Sequence, residues 1–183
     1  MARIPTSMLT MAGISLAFAL QGCGAKAPAG APPPPVPFAE GILYNNAGQR
    51  AGIVTLKPAG DALQGSVTVT GGLTAGQHGM HIHATGKCTL PDFASAGTHL
   101  NPDGKQHGSE NPSGPHQGDL PILVADSTGS ASMTFMAHTS LEMLFDMDGA
   151  AFVVHEKPDD MKTDPTGNSG GRVLCGVLYR KLG

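Results

Sequence analysis

The sequence has little of what nucleic-acid-binding proteins use. Its 183 residues include no tryptophan, two tyrosines and six phenylalanines, so aromatic residues make up 4% of the chain. Lysine and arginine total 11 against 14 acidic residues, the formal net charge is −3, and no basic run occurs. Domains that bind nucleic acid usually have a basic patch or stripe. The composition therefore argues against a nucleic-acid partner.

Long apolar runs are also scarce, and the one that occurs lies near the amino terminus. It follows a single positive charge, Arg3, and leads into LQGC at residues 20–23. A basic start, a short apolar stretch and a small residue before a cleavage point are typical of a secretory signal peptide. LQGC resembles the lipobox of bacterial lipoproteins, which implies a lipid on Cys23. A soluble secreted protein and an uncleaved anchor are the alternatives.

These features divide the chain into a signal peptide (1–22), Cys23 with a proline-rich tether (23–37) and one domain (38–183). The proline content of GAKAPAGAPPPPVP is typical of a polyproline II spacer, with a proline-rich partner motif as the alternative. Several acyl chains together hold a protein on a membrane. We therefore expect an exported, lipid-anchored protein of the periplasm, and Gly24 after Cys23 favours the outer membrane.

Cysteine is rare, with three in the chain. If Cys23 is lipidated, Cys88 and Cys175 remain. An exported domain with two remaining cysteines most simply forms one disulfide between them.

Eight short runs of alternating or β-branched residues are separated by Gly, Asn and Asp, a pattern that predicts an all-β sandwich or barrel. The runs are FAEGILYN, RAGIVTLK, LQGSVTVT, HGMHIHA, DLPILVAD, SASMTFMAH, AAFVVHE and RVLCGVLYR. LEMLFDMD (141–148) has some helical character. Two stretches interrupt the pattern, 85–118 and 157–171. Loops of this length in a compact domain usually have a function or an internal cross-link.

The run GMHIHATGKC places two histidines one residue apart. On a strand His81 and His83 share one face, while Met80 and Ile82 share the other and can enter a core. The two imidazoles could bind one metal ion, or they could simply face solvent. In its own run, His155 likewise lies on the face opposite Phe152 and Val154, which can enter the core.

The first long stretch contains three further candidate ligands, His99, His107 and His116, and a fourth, Asp119, directly follows it. Three histidines and an aspartate suit tetrahedral zinc, whereas an all-imidazole set suits copper. Seven residues can fill both sets only if one ligand is shared. A histidine can be shared because each of its ring nitrogens can bind a metal.

Five segments, in order, resemble the signature segments of copper–zinc superoxide dismutases: GMHIH, AGTHLNP, HQGDL, VVHEKPDD and GNSGGRVLCGVL. The similarity covers roughly residues 38–180. It implies an eight-stranded Greek-key β-barrel with two long functional loops. It also implies dismutation of superoxide to oxygen and hydrogen peroxide, with one copper ion and one zinc ion per chain.

The resemblance also implies a role for individual residues. Copper would be bound by His81, His83, His99 and His155, and zinc by His99, His107, His116 and Asp119, so that His99 bridges the metals. Arg172 corresponds to the arginine beside copper, and Asp159 to the carboxylate that links His81 and His107. Cys88 and Cys175 correspond to the family disulfide. Lys162 is a hypothetical helper in attracting substrate, or an ordinary solvated lysine.

Two other functions remain alternatives. The first is an exported copper-binding or copper-buffering protein on the same fold, and the second is a zinc-stabilised β module that binds a partner. The intact copper set, the bridging His99 and Arg172 argue against both. Monomer and homodimer both stay open.

We expect the two remaining histidines and the methionines of the domain to have structural roles and not to bind metal. His78 and His138 match no ligand position, so we expect both on the surface. The methionines of the domain form no Met-x-x-Met array. We therefore expect them to fill gaps in the core rather than to bind Cu(I); they are Met80, Met133, Met136, Met143, Met147 and Met161.

Overall fold

The computed structural model describes residues 33–183. The predicted signal peptide, Cys23 and residues 24–32 of the predicted tether lie outside the described residues. The chain from Pro35 to Gly183 forms one compact unit. No helix within residues 33–183 is both long enough and apolar enough to cross a membrane.

Strands dominate the described part of the chain. They are β1 (Pro37–Asn45), β2 (Arg50–Ala59), β3 (Ala62–Thr70), β4 (Gly76–His78), β5 (Met80–His83), β6 (Leu123–Ala125), β7 (Ser130–Ala137), β8 (Ala151–His155), β9 (Arg172–Val177) and β10 (Tyr179–Leu182). One short α-helix, α1 (Leu141–Leu144), lies in the segment with helical character, and a single turn of 3-10 helix spans Ala94–Ala96. Each of the eight predicted runs contains a strand, and a single residue divides two of the runs, Gly79 in one and Leu178 in the other. The predicted all-β class is confirmed.

The strands form one large curled sheet and one small one. The large sheet has the order β5-β8-β9-β1-β2-β3-β7, with β10 also paired to β1, and β4 pairs with β6 in the small sheet. Every pairing is antiparallel. Because β4 leads directly into β5, the small sheet continues from one end of the large sheet.

The core follows the alternation of the strands. Along β3, Val67 and Val69 are buried and the intervening Thr68 is exposed, as a sheet with one solvated face requires. On β5, however, all four residues are buried. Met80 and Ile82 enter the main core, as the sequence predicts, so the opposite face of β5 must be covered by something else.

The covering elements are two loops, which we call the long loop (84–122) and the late loop (156–171). The long loop runs back across β5: the Ile82 amide donates to the Gly118 carbonyl, and the Leu100 amide donates to the Ile82 carbonyl, each at 2.8 Å. A side chain at Gly118 would collide with the Ile82 carbonyl oxygen. Only glycine therefore permits this close approach, which brings both flanks of the long loop against β5.

A disulfide joins the long loop to β9. Cys88 and Cys175 are bonded across a sequence separation of 87 residues, which confirms the predicted pairing. The bond belongs to a second, smaller apolar cluster around Phe93 and Val153. This cluster attaches the start of the long loop to the face of the sheet opposite the main core.

We predict that replacing both Cys88 and Cys175 by serine lowers the free energy of unfolding by about 4 kcal/mol. The chain-entropy model gives this figure for a closed loop of this size. Urea unfolding of the variant and of the oxidised parent measures it. An unchanged unfolding free energy would show that the cross-link contributes nothing to stability.

Candidate metal centre

The predicted ligands come from two neighbouring strands and from the long loop that covers them. His81 and His83 lie on β5, and His155 ends β8, which pairs with β5. His99 and Asp119 lie in the long loop and are bridged to β5 at His83 and His81, respectively. The same backbone contacts that fix the loop thus bring its side chains to the strand histidines.

One cluster contains four buried imidazoles. Ring nitrogens of these four residues all lie within 4.8 Å of one another; the residues are His81, His83, His99 and His155. The Nε2 atoms of His83 and His155 are 3.4 Å apart. This is the set that the sequence assigns to copper.

Hydrogen bonds to the outer nitrogens determine which nitrogen faces the cluster. The Nδ1 atoms of His83 and His155 lie 2.9 and 3.2 Å from the carbonyl oxygens of Gly97 and Gly170, to which they can only donate. The Nε2 of His81 lies 2.6 Å from Asp159 Oδ2. Each ring therefore keeps its proton outside the cluster and presents a lone pair inside it, as metal ligation requires.

A second cluster surrounds one carboxylate oxygen of Asp119. Its Oδ1 lies 3.0 Å from His99 Nδ1, 3.0 Å from His107 Nδ1 and 3.2 Å from His116 Nδ1. The Nδ1 atoms of His99 and His116 are 3.4 Å apart. Zinc ligands at 2.0–2.1 Å in a tetrahedron are separated by about 3.3 Å, so the spacing of these four residues fits a zinc ion.

One grouping of possible ligands on this side differs in one member from the predicted zinc set. Within 4.8 Å it contains His81, His99, His107 and Asp119, whereas the sequence assigns His116 in place of His81. We favour His116, because Asp159 occupies the Nε2 of His81 and its Nδ1 belongs to the four-histidine cluster. His81 is near both clusters because it lies between them.

Three buried nitrogens have no hydrogen-bond partner, namely His81 Nδ1, His99 Nε2 and His107 Nδ1. The 3.0 Å approach of His107 Nδ1 to Asp119 Oδ1 is a close contact but not a hydrogen bond. An unsatisfied buried polar atom is unfavourable by about 1–3 kcal/mol. His81 Nδ1 faces the first cluster and His107 Nδ1 faces the second. His99 Nε2 belongs to the ring that lies in both clusters. Metal ions in the two clusters would satisfy all three, so the residues fit copper and zinc.

Asp159 connects the clusters from outside. Its Oδ2 accepts from His81 Nε2 at 2.6 Å and its Oδ1 from His107 Nε2 at 2.9 Å. Gly167 packs on this contact with φ +61°, and a Cβ there would collide with the carboxylate. The late loop, to which Asp159 belongs, thus orients one ring of each cluster.

Burial and charge set the protonation of these groups. Burial, assisted by neighbouring imidazoles, lowers the pKa of His81 to about 3 and that of His155 to about 4. Burial opposes charge on His107 as well, but Asp119 and Asp159 outweigh it and raise the pKa of His107 to about 9. Burial would raise the pKa of Asp119, yet hydrogen bonds from histidines and a backbone amide hold it well below its usual range. The strand imidazoles are therefore neutral and Asp119 is a carboxylate, which are the forms in which these groups can bind a metal.

Arg172 lies beside the four-histidine cluster. Its guanidinium donates to the carbonyl oxygens of Phe93 and Gly97 at 2.6 Å each. The Gly97 carbonyl also accepts from His83, so one oxygen joins the arginine and a candidate copper ligand. Burial lowers the pKa of Arg172 from its usual value, against the opposing charge of Asp92, but an arginine stays protonated in proteins.

His78 is not on the surface, so that prediction is wrong. Its side chain is buried, at 1% exposure. Its Nδ1 lies 2.7 Å from the His155 carbonyl and its Nε2 lies 2.8 Å from the Thr74 carbonyl. His78 therefore connects β4 to the strand that bears a candidate copper ligand. His138 is exposed, as predicted.

Asp164 is a contact of the centre that the sequence did not indicate. Its Oδ1 accepts from the His107 amide at 2.6 Å and lies 3.6 Å from His116 Nε2. The late loop thus reaches the second cluster through two carboxylates. Lys162, in the same loop, is exposed, and its role in attracting substrate stays a prediction.

The chain is similar to known proteins over most of its length. A family model described as copper/zinc superoxide dismutase matches residues 50–178. The superoxide dismutase-like protein YojM of Bacillus subtilis is 37% identical over 188 residues, which cover 93% of this chain and 92% of the relative. A Cu-Zn superoxide dismutase of Caulobacter vibrioides is 38% identical over 148 residues, which cover 76% of this chain and 84% of the relative.

Solved structures give the same result for the fold. A SOD-like protein from Bacillus subtilis superposes with a TM-score of 0.71 at 38% identity and covers 76% of this chain and 97% of the neighbour. The Cu/Zn superoxide dismutase from Brucella abortus has a TM-score of 0.66 at 28% identity, with 78% and 99% covered. These neighbours confirm the predicted Greek-key β-barrel class.

We predict that the stability of chelator-treated protein is greatest near pH 6.5. The folded pKa values of His81 and His155 are lowered, so their contribution is complete above about 6.5, the unfolded value, and is lost as the pH falls towards about 4. The folded pKa of His107 is raised, so its contribution is complete below about 6.5 and is lost as the pH rises through about 9. Urea unfolding between pH 4 and 9 measures this profile. Equal stability at pH 4 and pH 6.5 would contradict it.

We predict that Asp159→Asn weakens metal binding about 10- to 100-fold, the usual loss when an acceptor behind a ligand is removed. An asparagine can accept from only one of the two ring N–H groups with its single carbonyl oxygen. Competition with chelators for zinc and copper measures the loss. Asp61→Asn, an exposed position in the β2–β3 turn, serves as the matched control. Equal affinities in both variants would remove the positioning role of Asp159.

Proposed function

The chain belongs to the copper/zinc superoxide dismutase family, and we propose that His99 bridges one copper ion and one zinc ion in its active centre. The protein is an oxidoreductase that acts on superoxide and binds copper and zinc, as its family does. The finer assignments, which concern individual residues and the place of action, are proposals.

The orientation of the His99 ring is the observation that supports this proposal most directly. Its Nδ1 is 3.0 Å from Asp119 Oδ1 in the second cluster. Its Nε2 is buried, has no partner and belongs to the ring that completes the first cluster. We assign copper to His81, His83, His99 and His155, and zinc to His99, His107, His116 and Asp119.

When bound, copper supplies the one-electron oxidation and reduction that dismutation needs, while zinc, which has no redox chemistry, fixes geometry. The residues of the chain manage the protons and the substrate. His99 would take up a proton at Nε2 when that nitrogen is not bound to copper, and would give it to the reduced substrate as a positioned general acid. The Nδ1 of His99 lies in the second cluster, 3.0 Å from Asp119 Oδ1, where zinc would hold it, so the proton would be exchanged only at Nε2.

Arg172 attracts the substrate. Superoxide is an anion and the chain has a net charge of −3, so the global field opposes capture and a local positive charge must dominate. The guanidinium is fixed by two backbone carbonyls beside His83. This placement supports a role in binding the anion next to the copper ligands.

We further propose where the protein acts. Residues 1–22 would direct export, Cys23 would carry the lipid anchor, and the proline-rich tether to residue 37 would hold the domain (38–183) clear of the membrane. The domain would then protect the cell envelope from superoxide, in the periplasm and with the outer membrane favoured. A homodimer remains compatible with this arrangement.

The test is superoxide decay catalysed by protein prepared free of metal, with zinc alone and with zinc plus copper. We expect fast decay only with copper present, and loss of this rate in His99→Ala. A protein that holds both metals yet gives no copper-dependent rate would contradict the proposal and favour copper buffering.

We predict that Arg172→Ala lowers the rate about tenfold, the lower end of the range for electrostatic steering, and reduces its dependence on ionic strength. Metal content should stay intact. Arg50→Ala, an exposed arginine at the start of β2, is the matched control, and Arg172→Lys should recover part of the rate because it restores the charge. A wild-type rate in Arg172→Ala would refute the role.

A further inference from the structure

A groove beside the second cluster contains further possible copper donors, two thioethers and one imidazole. Its volume is about 450 Å³. Its walls are formed by the end of β7, the late loop and part of the long loop; the lining residues that bear possible donors are Met136, His138 and Met161. None of these side chains belongs to either metal cluster.

Two of the donors lie at and just beyond the end of β7. Met136 is on β7 and His138 directly follows its last residue, Ala137; Met136 and His138 are exposed while Ala137 between them is buried, so the two side chains lie on the face turned away from the core. Met136 is 42% exposed and His138 is also exposed. Neither side chain is committed to packing, so the prediction that methionines fill core gaps is wrong for Met136, as it is for the fully exposed Met147. It is correct for Met80, which is fully buried.

The third donor is held in an unusual backbone conformation. Met161 has φ +59°, a region in which residues other than glycine are uncommon and which is unfavourable by about 1–3 kcal/mol. Its amide donates to Asp159 Oδ1 at 2.7 Å and its carbonyl accepts from the Glu110 amide at 2.9 Å. The late loop thus fixes the position from which this thioether enters the groove.

We propose that the groove binds a Cu(I) ion through Met136, His138 and Met161, as a site separate from the dismutase centre. Thioether sulfur is a soft ligand that selects Cu(I), and imidazole also binds copper. The carboxylate in the groove wall, Asp119, is directed at the zinc-side histidines, so a hard cation finds no free carboxylate there among the lining residues. The groove would hold reduced copper at the protein surface next to the zinc side of the centre.

The site does not depend on the assignment of ligands within the dismutase centre. The full chain, loaded with zinc and copper and reduced with ascorbate, is titrated anaerobically with Cu(I) against a chromogenic Cu(I) chelator. We expect one further equivalent of Cu(I) in the wild type. The double variant Met136→Leu/Met161→Leu should lose it, because leucine keeps the volume and removes the sulfur.

Two more variants complete the test. His138→Gln should weaken the additional Cu(I) at least about tenfold, as for loss of a group in the ligand shell. Met147→Leu, at an exposed methionine outside the groove, should retain it, and the dismutase rate should be the same in all four proteins. Either no additional Cu(I) in the wild type or an equal amount in the double variant would overturn the proposal. Loss of the additional Cu(I) in Met147→Leu would do the same.

Discussion

Two buried carboxylates, Asp119 and Asp159, orient the imidazoles on which the rest of the centre depends. Six histidines are buried in one region of the fold, and buried polar rings are unfavourable unless their nitrogens have partners. The carboxylates and backbone carbonyls satisfy the outer nitrogens, while the inner nitrogens point at one another. The unpaired inner nitrogens lower the stability of the metal-free protein unless something replaces the missing partners. The same geometry that is unfavourable for a bare protein therefore creates two metal sites.

The fold serves these contacts through its loops. The sheet supplies only three of the candidate ligands, on β5 and β8, and its core is built by the opposite faces of the same strands. The long loop adds the others because its backbone pairs with β5 on both sides of Ile82. The late loop then supplies Asp159, which contacts His81 and His107, and Asp164, which accepts from the His107 amide. The positions of the ligands thus depend on where the two loops contact the sheet and each other. Close packing at Gly118 and Gly167 and the Cys88–Cys175 bond fix these contacts.

Local periodicity explains why much of this was predictable. Alternation alone separates His81 and His83 from Met80 and Ile82, and strand patterns place all eight runs in a β fold. Features that depend on contacts between distant segments were not predictable in the same way. His78 was expected at the surface, but Gly79 interrupts the strand and lets its ring reach the carbonyls of Thr74 and His155. Met161 and Met136 are far apart in the sequence, and only the folded late loop brings them to one groove.

The most direct test of the central claim, a histidine shared between two metals, is a crystal structure of the loaded protein with anomalous scattering recorded at the copper and zinc absorption edges. We expect copper among His81, His83, His99 and His155, and zinc among His99, His107, His116 and Asp119, with the two nitrogens of His99 on different metals. A single ion that occupies both clusters, or two ions that do not share His99, would contradict it.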